Sequence, residues 1–192
     1  MPTFGSARLH PASRASWREW LSVNHGSVQS VLLVMDTRAS GSQRLSLDEA
    51  VEEAICFGWI DSTLHPLDNR QFAVRFTPRR RGGTWSQTNK ARVESLTARG
   101  LMTDAGLRAV RQARQDGSWS ALDDVDALRV PDDLAQALAD NPRAHRNFET
   151  FSISVQKTTL WWVKSARRSE TRARRITESV RLAADNKGVG QR

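Results

Sequence analysis

Residues 45–62 read LSLDEAVEEAICFGWIDS, and a change of period inside them decides the fold. Ser46 and Glu49 have the spacing of a capping box. The hydroxyl takes a free N–H at the helix start, and the carboxylate reaches back to the cap. Leu47, Val51, Ala54 and Ile55 then recur at helical intervals, and Gly58 falls where a helix-ending glycine belongs. Trp59 to Ser62 starts a strand. Residues 71–77, QFAVRFT, alternate strictly, with Phe72, Val74 and Phe76 on one face and Ala73, Arg75 and Thr77 on the other. Pro78 ends that run because it cannot donate to a ladder.

Working outward, residues 1–12 read as a loose leader. SRASWREWLSVNHG places Trp17, Trp20 and Leu21 on one helical face. VQSVLLVM is a short, β-branched apolar run, hence a buried strand, and DTRASGSQR is a polar, mobile loop. Downstream, Ser86 and Thr103 cap two helices that Gly100 and Gly117 close. Residues 118–130 are irregular and acidic, a connector. Helices follow Pro131 and the Asn141-Pro142 start signal. From Ile153 to Ala184 the pattern is helical, broken near Ser169, which caps the last helix. The fold class is α+β. A small sheet with flanking helices occupies residues 13–117, an all-helical subdomain occupies 131–184, and 185–192 form a tail.

The chain has 192 residues, 39% of them hydrophobic, enough for a core. No apolar run approaches the ~18 residues of a membrane span. The N-terminus has no apolar h-region and Cys56 is the only cysteine, so the expected compartment is the cytoplasm. Net charge is +8. Residues 101–142 hold four basic and eight acidic residues, and 143–192 hold twelve basic and four acidic ones. The acidic middle and basic end can attract each other, or the basic end can meet an anionic partner.

The strings EEAICFGWIDS, RFTPRR and TWSQTNKARVESLTARGLMTDAGL resemble the bacterial YdeI/OmpD-associated family, also labelled bacteriocin-protection. VPDDLAQAL, NPRAHRNFETF and WWVKSARRSETRARRI extend the likeness, which runs from about Trp17 to Leu182. The resemblance implies a role in tolerating cationic antimicrobial peptides or envelope stress, and carries over no catalytic residues. Some descriptions of the family imply a periplasmic location. Relatives are expected to have proline where this chain has Ser169.

The residues themselves offer three candidates. The first is an anion pocket of Arg75, Arg79, Trp85, Ser86 and Asn89, bordered by Trp59 and Asp61. Guanidinium forks suit phosphate or carboxylate. Gly82-Gly83 lets the backbone approach a ligand, and a helix start attracts anions. The same residues also read as an Asp61–Arg75 ion pair, two core tryptophans and a plain N-cap. The ligand would be an anionic small molecule or an acidic protein surface. The second candidate is nucleic acid along Lys164, Arg167, Arg168, Arg172 and Arg175. The stripe behind those residues (Ala173, Ile176, Val180, Ala183) equally reads as packing. The third is an enzyme using Asp61, or Cys56 with His65 as base. Cysteine near the end of an amphipathic helix reads first as core. Four scattered histidines and no C-x-x-C carry no metal signal, and no cofactor motif is present. The overall expectation is a non-catalytic binding or stress-tolerance protein, its oligomeric state unspecified. A chain this basic does not collect cationic peptides by bulk charge, so protection is indirect or uses a local acidic patch such as Asp123–Asp126.

Overall fold

The computed structural model describes residues 7–37, 40–41 and 44–190. Most of the expected leader (1–6), part of the expected loop (38, 39, 42, 43) and the last two residues of the tail lie outside the described residues. The chain forms two compact units, Met1–Ser120 and Ala121–Arg192.

The first unit is built on a four-stranded sheet in the order β1-β2-β4-β3, from β1 (Ala7–Leu9), β2 (Val31–Asp36), β3 (Trp59–Pro66) and β4 (Gln71–Pro78). Ala7–Leu9 is a strand and not loose leader: it pairs parallel with Val31–Leu33. The other pairings are antiparallel. Asp68 shapes the β3–β4 turn, its carboxylate accepting from the backbone N–H of Arg70 at 2.6 Å and of Gln71 at 2.8 Å.

Directly opposed residues in an antiparallel ladder share a face. Val31, Leu33 and Met35 of β2 stand against Phe76, Val74 and Phe72 of β4, and this face meets the core. Helix α1 (Arg14–Asn24) adds Trp17 and Leu21, and α2 (Leu47–Cys56) adds Val51, Ala54 and Ile55. Burying each such side chain is worth about 1.5–3 kcal/mol. The indole N–H of Trp17 donates to the Ala50 carbonyl at 3.0 Å, so its one polar atom is satisfied. Ser46 and Glu49 form the capping box, and Gly58 takes φ 75° at the end of α2. Helices α3 (Gln87–Ala98) and α4 (Asp104–Gln115) are capped by Ser86 and Thr103. α4 packs close on the end of α2. A Cβ on Gly106 would lie 2.3 Å from the Cys56 carbonyl oxygen, so only glycine fits there.

The second unit is all helical: α5 (Asp123–Asp126), α6 (Asp132–Ala139), α7 (Pro142–Thr150), α8 (Ile153–Lys164) and α9 (Ser169–Ala184). Its core holds Val125, Leu134, Leu138, Phe148, Leu160, Val163 and Ile176. The acidic stretch is therefore not a mere connector, since α5 inserts Val125 into this core. Asn141 caps α7 with Pro142 at its first position. Ser169 does not cap α9: Arg168 holds the cap position and makes no side-chain cap bond. Ala173 is exposed, so the buried face of α9 is Ile176, Ser179 and Ala183.

Candidate functional site: an arginine cleft at the end of the sheet

Arg75 and Thr77 leave β4 on the face opposite Phe76, as the alternation predicts. Ile60 stands beside Thr77 across the β3 ladder, and Ser30 precedes β2. With Gln29, Ser62, Pro78, Arg79, Arg80 and Gly83 they line a cleft of about 760 Å³. Arg75 Nη2 donates to Ser30 Oγ at 3.3 Å, and Ser62 Oγ donates to the Arg75 carbonyl at 3.2 Å. Three arginines therefore line one cleft with hydroxyls, one amide and a short apolar wall, and no lining residue is acidic.

Arg79 is the unusual member. Its guanidinium lies 3.5 Å from the centre of the Trp85 ring, within cation–π range. Nη1 donates to the Thr84 carbonyl at 3.3 Å, while Nε and Nη2 are buried with no hydrogen-bond partner. Burial pushes its pKa down to about 10, against the opposing field of Asp61. Buried guanidinium donors are normally satisfied, so this arrangement costs stability.

The loop that carries these arginines is held from several sides. The Arg79 backbone N–H donates to the Gly58 carbonyl at 2.9 Å, and the Gly83 N–H to the Arg80 carbonyl at 3.1 Å. Gly82 takes φ 74°, and its N–H donates to Asp116 at 3.2 Å. Hydrogen bonds from the Ser118 side chain and backbone, then from Gly82, hold the Asp116 carboxyl below its ordinary range. Behind the loop lies a smaller pocket of about 110 Å³, reaching Gln112, Asp116 and Ser118. It shares Arg79, Arg80 and Gly83 with the main cleft.

Of the seven residues expected around this pocket, Arg75 and Arg79 line the cleft. Trp59 does not border it. Its ring is 1% exposed, set edge-on to Trp20 at 6.0 Å, and its N–H donates to the His25 carbonyl at 3.1 Å. Asp61 does not share a face with Arg75, because it opposes Phe76 in the ladder. Trp85 is 1% exposed, so its ring is a platform for Arg79 and a neighbour of Trp119 at 5.1 Å, not a surface open to ligand. Ser86 is the N-cap of α3, accepting from Asn89 N–H at 3.3 Å, and the Asn89 side chain accepts from Arg92 at 3.0 Å. Neither Ser86 nor Asn89 lines the cleft. Gln29, Ser30, Ile60 and Ser62 join the cleft beyond the expected residues, with Arg80 from the loop. The alternation of β4 points to their face, but only strand pairing brings them there.

Part of the basic end of the chain is paired within the second unit. Lys164 pairs with Asp124 at 2.7 Å, and Lys157 with Asp126 at 2.8 Å. Arg172 grips Asp133 with two bonds of 2.6 and 2.8 Å. Arg175 donates to the Trp162 carbonyl at 2.5 Å, at the end of α8. The acidic middle and basic end do attract each other, and the Asp123–Asp126 patch is mostly spent on these pairs and on Arg129 at 3.3 Å. Arg167, Arg168 and Arg174 are exposed.

Cys56 is fully buried in the first core, and burial pushes its thiol pKa up, the reverse of an activated nucleophile. His65 sits opposite Ala73 on β3. Glu52 and Glu53 of α2 hold two arginines of α1. Glu53 accepts from Arg14 and from Arg18 at 2.6 Å each, and Glu52 accepts from Arg14 at 2.8 Å. Among the described residues, no group of three or more His, Cys, Asp or Glu side chains is placed to hold a metal ion. No described helix is long and apolar enough to cross a membrane.

Comparison with known proteins divides the chain in the same place. Residues 9–109, more than half of it, match the model of a domain of unknown function, DUF8412. Residues 127–186 match the model described as bacteriocin-protection, YdeI or OmpD-associated. That match is confined to the second unit, shorter than the Trp17–Leu182 span expected for it. No curated protein and no solved structure matches the chain. The chain therefore belongs to the DUF8412 family, and its helical unit is similar to the family described as bacteriocin-protection, YdeI or OmpD-associated.

Proposed function

We propose that this is a non-catalytic binding protein that takes an anionic ligand in the Arg75–Arg79–Arg80 cleft, and that this binding serves a stress-tolerance role. The observation that carries the reading is Arg79, a guanidinium with two buried donors unpartnered, beside a cleft lined by two further arginines and no acid. Positive charge in a walled cleft concentrates anions. Binding is favoured over turnover because the lining offers guanidinium, hydroxyl and amide groups but no carboxylate or imidazole base.

The bacteriocin-protection label of the second unit supports the stress role. With net charge +8 and the Asp124 and Asp126 carboxylates paired internally, direct capture of cationic peptides is disfavoured, and protection runs through the bound anion.

Arg80 gives the cleanest test, because its side chain is exposed and its place in the loop depends on its backbone carbonyl. Calorimetric titration with pyrophosphate is expected to show saturable binding that Arg80→Ala weakens by about 10-fold, the size of one lost charged hydrogen bond, with an unchanged melting temperature. Equal affinity in the two proteins, or no binding in the wild type, refutes the cleft.

A further inference from the structure

Resting on the anion-cleft reading, we infer that the ligand is a phosphorylated small molecule, bound through its phosphoryl group and with an organic body along Ile60 and Pro78. Two features of the lining select the phosphoryl group. Arg75, Arg79 and Arg80 line one space from the end of one strand and the loop after it, so three positive residues border a single ligand. A carboxylate carries one charge and is met by a single guanidinium fork. A phosphoryl group carries up to two charges and three acceptor oxygens, which three forks can share. The hydroxyl of Thr77, on the same strand face as Arg75, adds a neutral donor to the same space.

Size and wall chemistry select the organic body. A cleft of about 760 Å³ lies within the range of sites for whole metabolites and is far larger than one inorganic anion needs. Ile60 and Pro78 present carbon where a bare anion would gain nothing. The Gln29 amide at the rim supplies both a donor and an acceptor for a polar substituent of that body.

The phosphoryl assignment has its own pH signature. The second ionisation of a phosphate monoester falls near pH 6, so the ligand gains its second charge as pH rises through that value. Arg79, with its pKa of about 10, stays charged throughout that window.

The test uses the full chain and three probes at pH 8: phenyl phosphate, benzoate and inorganic phosphate, each titrated by calorimetry into wild type, Arg80→Ala and Thr77→Val. Phenyl phosphate is expected to bind at least tenfold more tightly than the other two, to weaken in both variants, and to weaken severalfold when the pH is lowered to 5. Benzoate equal to phenyl phosphate, with both lost in Arg80→Ala, overturns the phosphoryl assignment and leaves the anion cleft standing. Inorganic phosphate equal to phenyl phosphate overturns the organic body. A single-stranded oligonucleotide is titrated beside these three, and its tighter binding than phenyl phosphate overturns the small molecule. Silence from every probe overturns this inference and the anion cleft together.

Discussion

Arg79→Met is expected to make the ligand-free protein more stable while removing its affinity for pyrophosphate. Lowering the Arg79 pKa to about 10 amounts to about 3 kcal/mol of disfavoured charge in the folded state. Cation–π contact with Trp85 and the long bond to Thr84 return part of this, about 1–2 kcal/mol. Methionine keeps the apolar stem over Trp85 and removes the unpartnered donors. The net gain is about 1–2 kcal/mol, or roughly 3–6 °C in melting temperature. The gain has a pH signature. Because the folded pKa lies below the unfolded one, the cost is full below pH 10 and is relieved as pH rises above about 10. The stability difference between Arg79→Met and wild type, followed by urea denaturation, therefore narrows above pH 10. A less stable Arg79→Met at neutral pH would mean that Arg79 is a structural residue.

Glu53→Ala is expected to produce the largest loss of stability. Glu53 is 3% exposed and receives Arg14 and Arg18 from α1 on its two carboxylate oxygens. Burial works against the Arg14 and Arg18 charges, yet their hydrogen bonds to Glu53 leave both pKa values raised. Removing the carboxylate leaves Arg14 with Glu52 and Arg18 with the Leu101 carbonyl, and weakens the pinning of α1 to α2. The cost is about 3–5 kcal/mol, near 10 °C in melting temperature. Glu53→Gln keeps the shape and one acceptor and should lose about half as much. A melting temperature unchanged in Glu53→Ala would show that water replaces the carboxylate without penalty.

Local signals in the sequence were enough for most of the first unit. The Ser46–Glu49 box, the glycine at 58 and the strict alternation of residues 71–77 each act within a few residues of the element they set, so α2 and β4 could be read directly. The strand Ala7–Leu9 could not. Three residues show no period, and what makes them a strand is a parallel partner more than twenty positions away. The same limit governs the cleft. Arg75 and Thr77 follow from the strand period, whereas Ser30 and Ser62 reach the cleft only through pairing across the sheet. Composition marks tryptophan as either core or surface, and Trp59 and Trp85 pack on Trp20 and Trp119, each more than thirty positions away in the chain. In the second unit, the charge imbalance pointed to attraction between the two stretches, and specific pairs such as Arg172–Asp133 required the helices to be in place.

The most direct test of the account is a pyrophosphate titration followed through backbone amide resonances of the isotope-labelled full chain. Saturable shifts centred on Ser30, Ile60, Thr77, Arg79 and Gly83 are the predicted result. Shifts centred instead on Arg167, Arg168 and Arg174, or no saturable shifts at all, would contradict it.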